Sequence, residues 1–322
     1  MPATAVHAFF ANDVYDILLR DYKDKLNISR CRMFSQSTDS CLFYNLFSIL
    51  PGKKIRLFQN YFHNNQTQEF FINVLRYIKD NDIKDVDTYS FLFGFITHYV
   101  LDSTLHPYII YKTGYFDKNN KKTYKYNGIH HFMESFLDND MIQRRTNINP
   151  YEFNISKYCF DISPFSKELC DTINYSFYNT FYIKDMSKIY YKSLRQMKYS
   201  IRLFRQDRFG IKKFFYKLLD SFTSIKTFRL EAISYHYPLD DKHNFLNLNN
   251  SSWRNPCIYD LSSNESFIDL YLKSIRNAKT LVCACFDYLN GRDIDLEKVL
   301  DNKSYITGIN CDEKKELKYF EF

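Results

Sequence analysis

The residues that most constrain the fold are 88–105, which have the composition of one long, strongly apolar helix. A helix this apolar is stable only when it is buried, so the remaining chain has to pack around it. Asp87 is expected to cap its first turn. Pro107 is expected to end the helix at or before His106, because the residue before a proline disfavours the helical conformation.

Two side chains that commonly bind metals interrupt this helix. His98 and Asp102 lie four residues apart and therefore point to the same side of it. His106 follows four residues later, where a turn of the chain at Pro107 would direct it toward a second, neighbouring site.

The segment HHFME, residues 130–134, repeats this spacing with His130 and Glu134. An imidazole and a carboxylate one helical turn apart can hold a divalent ion, and a ligand set without thiolate favours zinc in a hydrolytic site. A lone histidine on an apolar helix is more often a core residue bonded to a carbonyl group. Two such pairs in a chain with only eight histidines favour a metal site. His131 would point about 100° away from His130, at the surface or behind a ligand.

Helices are expected along most of the chain. Its seven glycines and seven prolines are too few for a turn-rich β architecture. Further helix starts are predicted at Ser163-Pro164 and at a capping box formed by Ser262 and Glu265, with Gly291 just past the end of that last helix. We therefore predict a single all-α helical domain over residues 1–292 and a C-terminal tail over residues 293–322.

The spacing of the cysteines and the composition of the first residues indicate the cellular compartment of the protein. Eight cysteines without a CxxC pair predict free thiols and a reducing compartment. The first residues lack the basic region of a signal peptide, and no apolar run reaches the ~18 residues that a bilayer span requires. The predicted location is the cytoplasm.

Residues 192–229 contain eleven basic side chains against two acidic ones. The basic residues that share one helical stripe are Arg195, Lys198, Arg202 and Arg205. An apolar stripe lies next to it. Two interpretations are open: a core helix with a solvated basic face, or an interfacial face for an anionic membrane surface or nucleic acid. The net charge of +7 is compatible with both.

Four motifs occur in an order that resembles a known family: MPATAVHAFF, STDSCLFY, GFITHYVLDSTLHPYI and HHFMESFLDND. They resemble the bacterial zinc-dependent phospholipase C family, in its form without a signal peptide. SSWRNP and ESFIDLYLKS, further along, are similar to its C-terminal part. The resemblance implies the all-helical fold that this family shares with secreted phospholipases C and single-strand nucleases.

The resemblance also implies a cluster of two or three zinc ions. The ligands implied for one ion are Asp39, His63, His98 and Asp102. The ligands implied for a second are His106, His130 and Glu134. His7 would bind a third ion, with Asp102 as a bridge. The remaining histidines, His236 and His243, lie in a polar stretch and are expected to be structural.

The expected activity is that of a zinc-dependent phosphodiester hydrolase. Zinc-bound hydroxide would attack phosphorus, and neighbouring ions would offset charge on the phosphate and the leaving oxygen. Asp39 would help to position the attacking water as a catalytic residue. A phospholipid or another phosphodiester is the expected substrate, and no obligate protein partner is evident. The alternatives are a single-strand nuclease on the same fold and a non-catalytic membrane-surface protein.

Overall fold

Helices make up almost all of the regular structure in the computed structural model, which describes residues 3–224, 229–235 and 243–321. The α-helices are α1 (Thr4–Asp16), α2 (Arg20–Lys23), α3 (Ile28–Phe34), α4 (Lys53–Phe62), α5 (Thr67–Asp80), α6 (Val86–Thr113), α7 (Ile129–Thr146), α8 (Ile155–Cys159), α9 (Lys167–Phe181), α10 (Met186–Phe204), α11 (Ile211–Phe222), α12 (Phe267–Leu289) and α13 (Leu296–Val299). Short 3-10 segments cover Ser37–Phe43, Lys121–Tyr126, Leu230–Ile233 and Cys311–Glu313. An antiparallel pair, β1 (Trp253–Arg254) and β2 (Ser262–Ser263), completes the described part, so the all-α class is confirmed.

The apolar helix predicted at residues 88–105 is the centre of the fold. It is α6, and it packs against α12, α3, α1 and α7. Its N-cap is Asp85, whose carboxylate accepts from the backbone N–H of Thr88 at 2.8 Å, and not Asp87 as predicted. Gly94 permits a close crossing with α3, because a Cβ there would lie 2.6 Å from the backbone of Phe34.

The prediction that Pro107 ends α6 is wrong. The helix passes through Pro107 and continues to Thr113. A proline inside a helix removes one hydrogen bond and costs about 3 kcal/mol, but the turns on both sides are held by packing, with His106 and Tyr108 both buried. Gly308 lies against the Ser103 carbonyl that loses its partner, since a Cβ there would be 2.5 Å from that oxygen. Tertiary contact therefore overrides the local signal.

The helix start predicted at Ser163-Pro164 is also wrong, by three residues. Ser166 is the N-cap of α9 and accepts from the Leu169 backbone N–H at 3.1 Å. The reason is the buried Arg30, whose guanidinium donates to the carbonyl oxygens of Ser163 at 2.9 Å and Pro164 at 3.3 Å. These carbonyl groups are held outside the helix by that side chain.

The capping box of α12 is formed by Ser266 and Asp269, not by Ser262 and Glu265. The Ser266 hydroxyl accepts from the Asp269 N–H at 3.1 Å, and the Asp269 carboxylate accepts from the Ser266 N–H at 2.9 Å. Ser262 is instead taken up by β2, opposite Arg254. Gly291, with φ of +89°, follows the end of α12 as predicted.

The two serines give a matched test of this cap. We expect Ser266→Ala to lower the free energy of unfolding by about 1 kcal/mol, because it removes an N-cap acceptor. Ser262→Ala, at an exposed strand position, should change it by less than about 0.5 kcal/mol. Urea unfolding followed by circular dichroism measures both. Equal losses in the two variants would show that the cap does not stabilise α12.

The basic stripe of residues 192–229 divides between surface and core. Leu194, Met197 and Ile201 of α10 are buried, which agrees with the interpretation of a core helix with a solvated basic face. Arg205 departs from the predicted stripe: it is 4% exposed, and its guanidinium donates to Asp138 Oδ2 at 3.1 Å. Burial of this cation is possible because a carboxylate oxygen of Asp138 and the hydroxyl oxygen of Tyr235 accept hydrogen bonds from its guanidinium.

The residues after 292 pack against the helical domain. Leu300, Ser304 and Tyr305 are buried, and the Tyr99 hydroxyl donates to the Asp301 carbonyl oxygen at 2.7 Å. The boundary placed at residue 292 stays a prediction. Within the described residues, no helix is long and apolar enough to cross a membrane.

Candidate metal centre

Four candidate ligands meet between α6, α1 and the 3-10 segment Ser37–Phe43. Each of His7, Asp39, His98 and Asp102 offers one atom, and these four atoms lie within 4.8 Å of one another. Asp102 Oδ2 is 3.0 Å from His98 Nε2, and Asp102 Oδ1 is 3.2 Å from His7 Nε2. Asp39 Oδ2 lies 3.4 Å from His98 Nε2 on the other side. We call these four residues the first ligand group.

The close crossing at Gly94 orients His98. It brings the end of α3 onto α6, one helical turn before His98, so that His98 Nδ1 lies 2.8 Å from the Ser35 carbonyl oxygen. A carbonyl oxygen can only accept, so Nδ1 carries the proton and donates it. The Nε2 atom, which faces the two carboxylates, is thereby fixed as the ligating atom, an arrangement common among metal-binding histidines.

His63 lies at the edge of the first ligand group and is not one of its four members. Its Nε2 is 3.5 Å from Asp39 Oδ1, and its Nδ1 is 3.0 Å from the Gln59 amide nitrogen. The same amide nitrogen donates to Asp39 Oδ1 at 2.6 Å. With the amide in this orientation His63 Nδ1 accepts, so Nε2 holds the proton. For His63 to offer Nε2 to an ion, the Gln59 amide has to turn its oxygen toward Nδ1.

A second ligand group is formed by His106, His130 and Glu134, whose ligand atoms also lie within 4.8 Å of one another. His130 Nε2 is 3.0 Å from Glu134 Oε1. His106 Nδ1 faces the Tyr305 carbonyl oxygen at 2.9 Å, and the rings of His106 and His130 lie nearly parallel with centroids 5.8 Å apart. His131 Nδ1 lies 3.3 Å from Glu134 Oε2, as expected for a side chain behind a ligand.

Electrostatics keeps most of these imidazoles neutral. Burial lowers the pKa of His7 to about 4 and brings the pKa values of His63 and His106 below the usual 6.5. Neutral imidazole is the form that binds metals. Burial also lowers the pKa of His98, but its neighbouring carboxylates, Asp102 most strongly, outweigh burial and raise this pKa to about 9. At neutral pH His98 therefore carries a proton that a bound metal ion would displace.

The residues fit a cation on one further observation. His98 Nε2 and Asp102 Oδ2 are fully buried, yet within the described ranges neither has a hydrogen-bond partner. The two atoms lie 3.0 Å apart, which is close enough for an ion pair. Buried polar atoms are rarely left unsatisfied, and a cation bound to these two atoms would satisfy them.

All eight sequence-predicted ligands thus lie in or beside the two groups, although their assignment to individual ions stays a prediction. His7 lies within the first group and not apart from it. The sequence interpretation missed Gln59 and Tyr305. Gln59 could have been found, because it precedes His63 by one helical turn on α4. His236 lies outside the described residues, and His243 is exposed and stacks on Phe245 at 5.2 Å.

Comparison with known proteins adds one finding. The family model described as zinc dependent phospholipase C matches residues 6–200. This range contains every residue of both ligand groups together with His63 and Gln59, and it ends before Tyr305. No curated protein and no solved structure gives a significant match.

Proposed function

The chain belongs to the zinc-dependent phospholipase C family, and we propose from this that it hydrolyses phosphodiester bonds, with phospholipids as its substrate class. The observation that carries the proposal is the clustering of buried imidazole and carboxylate groups from α1, α6 and the segment Ser37–Phe43. Among their atoms, His98 Nε2 and Asp102 Oδ2 have no hydrogen-bond partner within the described residues, which supports a bound metal ion.

Two or three zinc ions are proposed as the cofactors. The first ligand group, with His63, would hold one or two of them, and the second ligand group would hold another. Bound zinc supplies a Lewis acid for the phosphate oxygens and lowers the pKa of a bound water toward ~7. Asp102 has one oxygen toward His7 and the other toward His98, which supports its proposed role as a bridge.

The chain's own residues orient this chemistry. Hydrogen bonds to the carbonyl groups of Ser35 and Tyr305 fix the rings of His98 and His106. Gln59 holds the Asp39 carboxylate at 2.6 Å, which supports the proposed role of Asp39 in positioning the attacking water. The first group is closed to solvent, whereas His130 is partly exposed.

Substrate access is proposed through a cavity at the start of α7, the helix that carries His130 and Glu134. Ile129 and Phe132 of α7 line this cavity, whose volume is about 590 Å³. Lys217 and Arg229 line it together with Asp220 and Glu231, and the two cations suit a phosphate-bearing head group.

Zinc content and substrate preference test this proposal together. We expect the purified protein to contain at least two zinc ions per chain and to release phosphorylated head groups from phospholipid dispersions. A chelator should abolish the release, and added zinc should restore it. Single-stranded DNA serves as the comparison substrate: faster cleavage of DNA than of lipid would establish the nuclease alternative. Protein that holds no zinc would contradict the metalloenzyme proposal. A cytoplasmic location stays a prediction, supported by eight free cysteines.

A further inference from the structure

Helix α11 presents its apolar side to solvent and its polar side to the protein. Its apolar residues recur every three or four positions and form one stripe, the α11 stripe: Ile211, Phe214, Phe215, Leu218, Leu219 and Phe222. Each is between 45% and 80% exposed. The residue of α11 that is buried is Asp220, whose carboxylate accepts from the backbone N–H groups of Leu230 and Glu231. Amphipathic helices of soluble domains have the opposite orientation.

A second exposed apolar segment lies next to α11. The apolar residues of this segment, the 46–50 loop, are Leu46, Phe47, Ile49 and Leu50, which are 44% to 104% exposed. The Phe47 ring packs on Phe204, with centroids 5.4 Å apart, and the Tyr216 hydroxyl of α11 donates to the Phe204 carbonyl oxygen at 2.9 Å. Both segments therefore flank the end of α10 and form one surface. Soluble monomers seldom expose apolar surface of this extent without a partner.

Within residues 199–224 the exposed charges have one sign. Arg202, Arg208 and Lys217 are exposed beside the α11 stripe. Between residues 199 and 224 the acidic residues are Asp207 and Asp220, and both are buried. The 46–50 loop is followed by the exposed pair at residues 53–54, both lysines, and no acidic residue occurs from 40 to 68. Aromatic and aliphatic side chains rimmed by unopposed cations are typical of surfaces that bind anionic bilayers.

We propose that the α11 stripe and the 46–50 loop insert into the interface of an anionic phospholipid bilayer. Charge complementarity supports this occupant. The exposed cations Arg202, Arg208 and Lys217 lie beside the apolar side chains, so they can contact anionic head groups while the α11 stripe enters the interface. The proposal concerns binding alone and does not rest on the proposed hydrolysis.

Matched double variants test the surface. Leu218→Glu with Leu219→Glu replaces two side chains of the α11 stripe that are 45% and 52% exposed. The control, Leu19→Glu with Leu272→Glu, makes the same change at Leu19, which is 65% exposed just before α2, and at Leu272, which is 48% exposed on α12. Sedimentation with vesicles of phosphatidylcholine and phosphatidylglycerol measures binding. We expect the α11 variant to bind at least about tenfold more weakly than the wild type, and the control to bind like the wild type.

Two further variants separate the contribution of the 46–50 loop from that of the basic residues. Phe47→Ser with Ile49→Ser, in the 46–50 loop, should weaken binding independently of α11. Arg208→Gln should weaken binding to anionic vesicles about fivefold and leave binding to pure phosphatidylcholine unchanged. Circular dichroism checks that each variant is folded.

Three results would overturn the proposal: wild-type protein that does not sediment with anionic vesicles, equal binding by the α11 variant and its control, or a wild-type dimer that the α11 variant converts to monomer without any vesicle binding. The last result would assign the surface to a second copy of the chain. Because no turnover is measured, failure here leaves the hydrolysis proposal intact.

Discussion

Replacing His98 by alanine is expected to reduce phosphodiester hydrolysis by about 10³-fold or more, since a lost ligand removes several kcal/mol of transition-state stabilisation. His98 Nε2 lies 3.4 Å from Asp39 Oδ2 and 3.0 Å from Asp102 Oδ2, and its ring is held by the Ser35 carbonyl group. Zinc content should fall by at least one ion per chain in the same variant. Elemental analysis and a soluble phosphodiester reporter measure the two effects.

His243→Ala is the matched control for this substitution. Its imidazole is exposed and belongs to neither ligand group. We expect its zinc content to equal that of the wild type. If His98→Ala kept its full zinc content and its activity, the first ligand group would not be the metal centre.

Replacing Tyr305 by alanine is expected to lower the free energy of unfolding by about 3–5 kcal/mol, the usual range for loss of a buried aromatic ring. Tyr305 is fully buried, and its ring stacks on His63 with centroids 4.7 Å apart and planes within 3°. Its backbone N–H also donates to the His63 carbonyl oxygen at 2.8 Å. Urea unfolding of the zinc-loaded protein measures the change.

Tyr305→Phe separates the ring from the hydroxyl. The Tyr305 hydroxyl has no hydrogen-bond partner in the described part of the chain, so its removal should change the free energy of unfolding by less than about 0.5 kcal/mol. A small loss in Tyr305→Ala as well would indicate that residues 293–322 form an independent tail. If only Tyr305→Ala lowered the free energy of unfolding strongly, residues 293–322 would be an integral part of the helical domain.

Local spacing was enough to predict that two pairs of candidate ligands lie together, because a helix places residues four apart on one side regardless of what surrounds it. His98 with Asp102 and His130 with Glu134 lie together for this reason. The candidates His7, Asp39 and His63 were implied only by the family resemblance. The predicted helix start at Ser163-Pro164 was wrong because a side chain distant in the sequence competes with the local pattern. Arg30 takes the carbonyl groups of Ser163 and Pro164, and no pattern near residue 163 could have indicated it.

Orientation of the ligands could not be predicted from spacing. The carbonyl groups that fix His98 and His106 belong to Ser35 and Tyr305, 63 and 199 residues away in the chain. Any residue type provides a carbonyl oxygen, so the sequence carries no sign of these contacts. The outward orientation of the apolar side of α11 could not be predicted for a similar reason. Periodicity shows that a helix has an apolar side, but not whether that side faces the core.

The contact between His106 and Tyr305 is expected to form late in folding. It closes a loop of 199 residues, and closing a long loop becomes favourable only after most other contacts have formed. The ring of His106 would therefore take up its final orientation when the helices around α6 are already packed. Zinc would then bind a preformed pocket and slow its opening, because a ligand that binds only the native state stabilises it. In this respect the metal would stabilise the finished fold, unlike the zinc of small fingers, which brings an unfolded chain together.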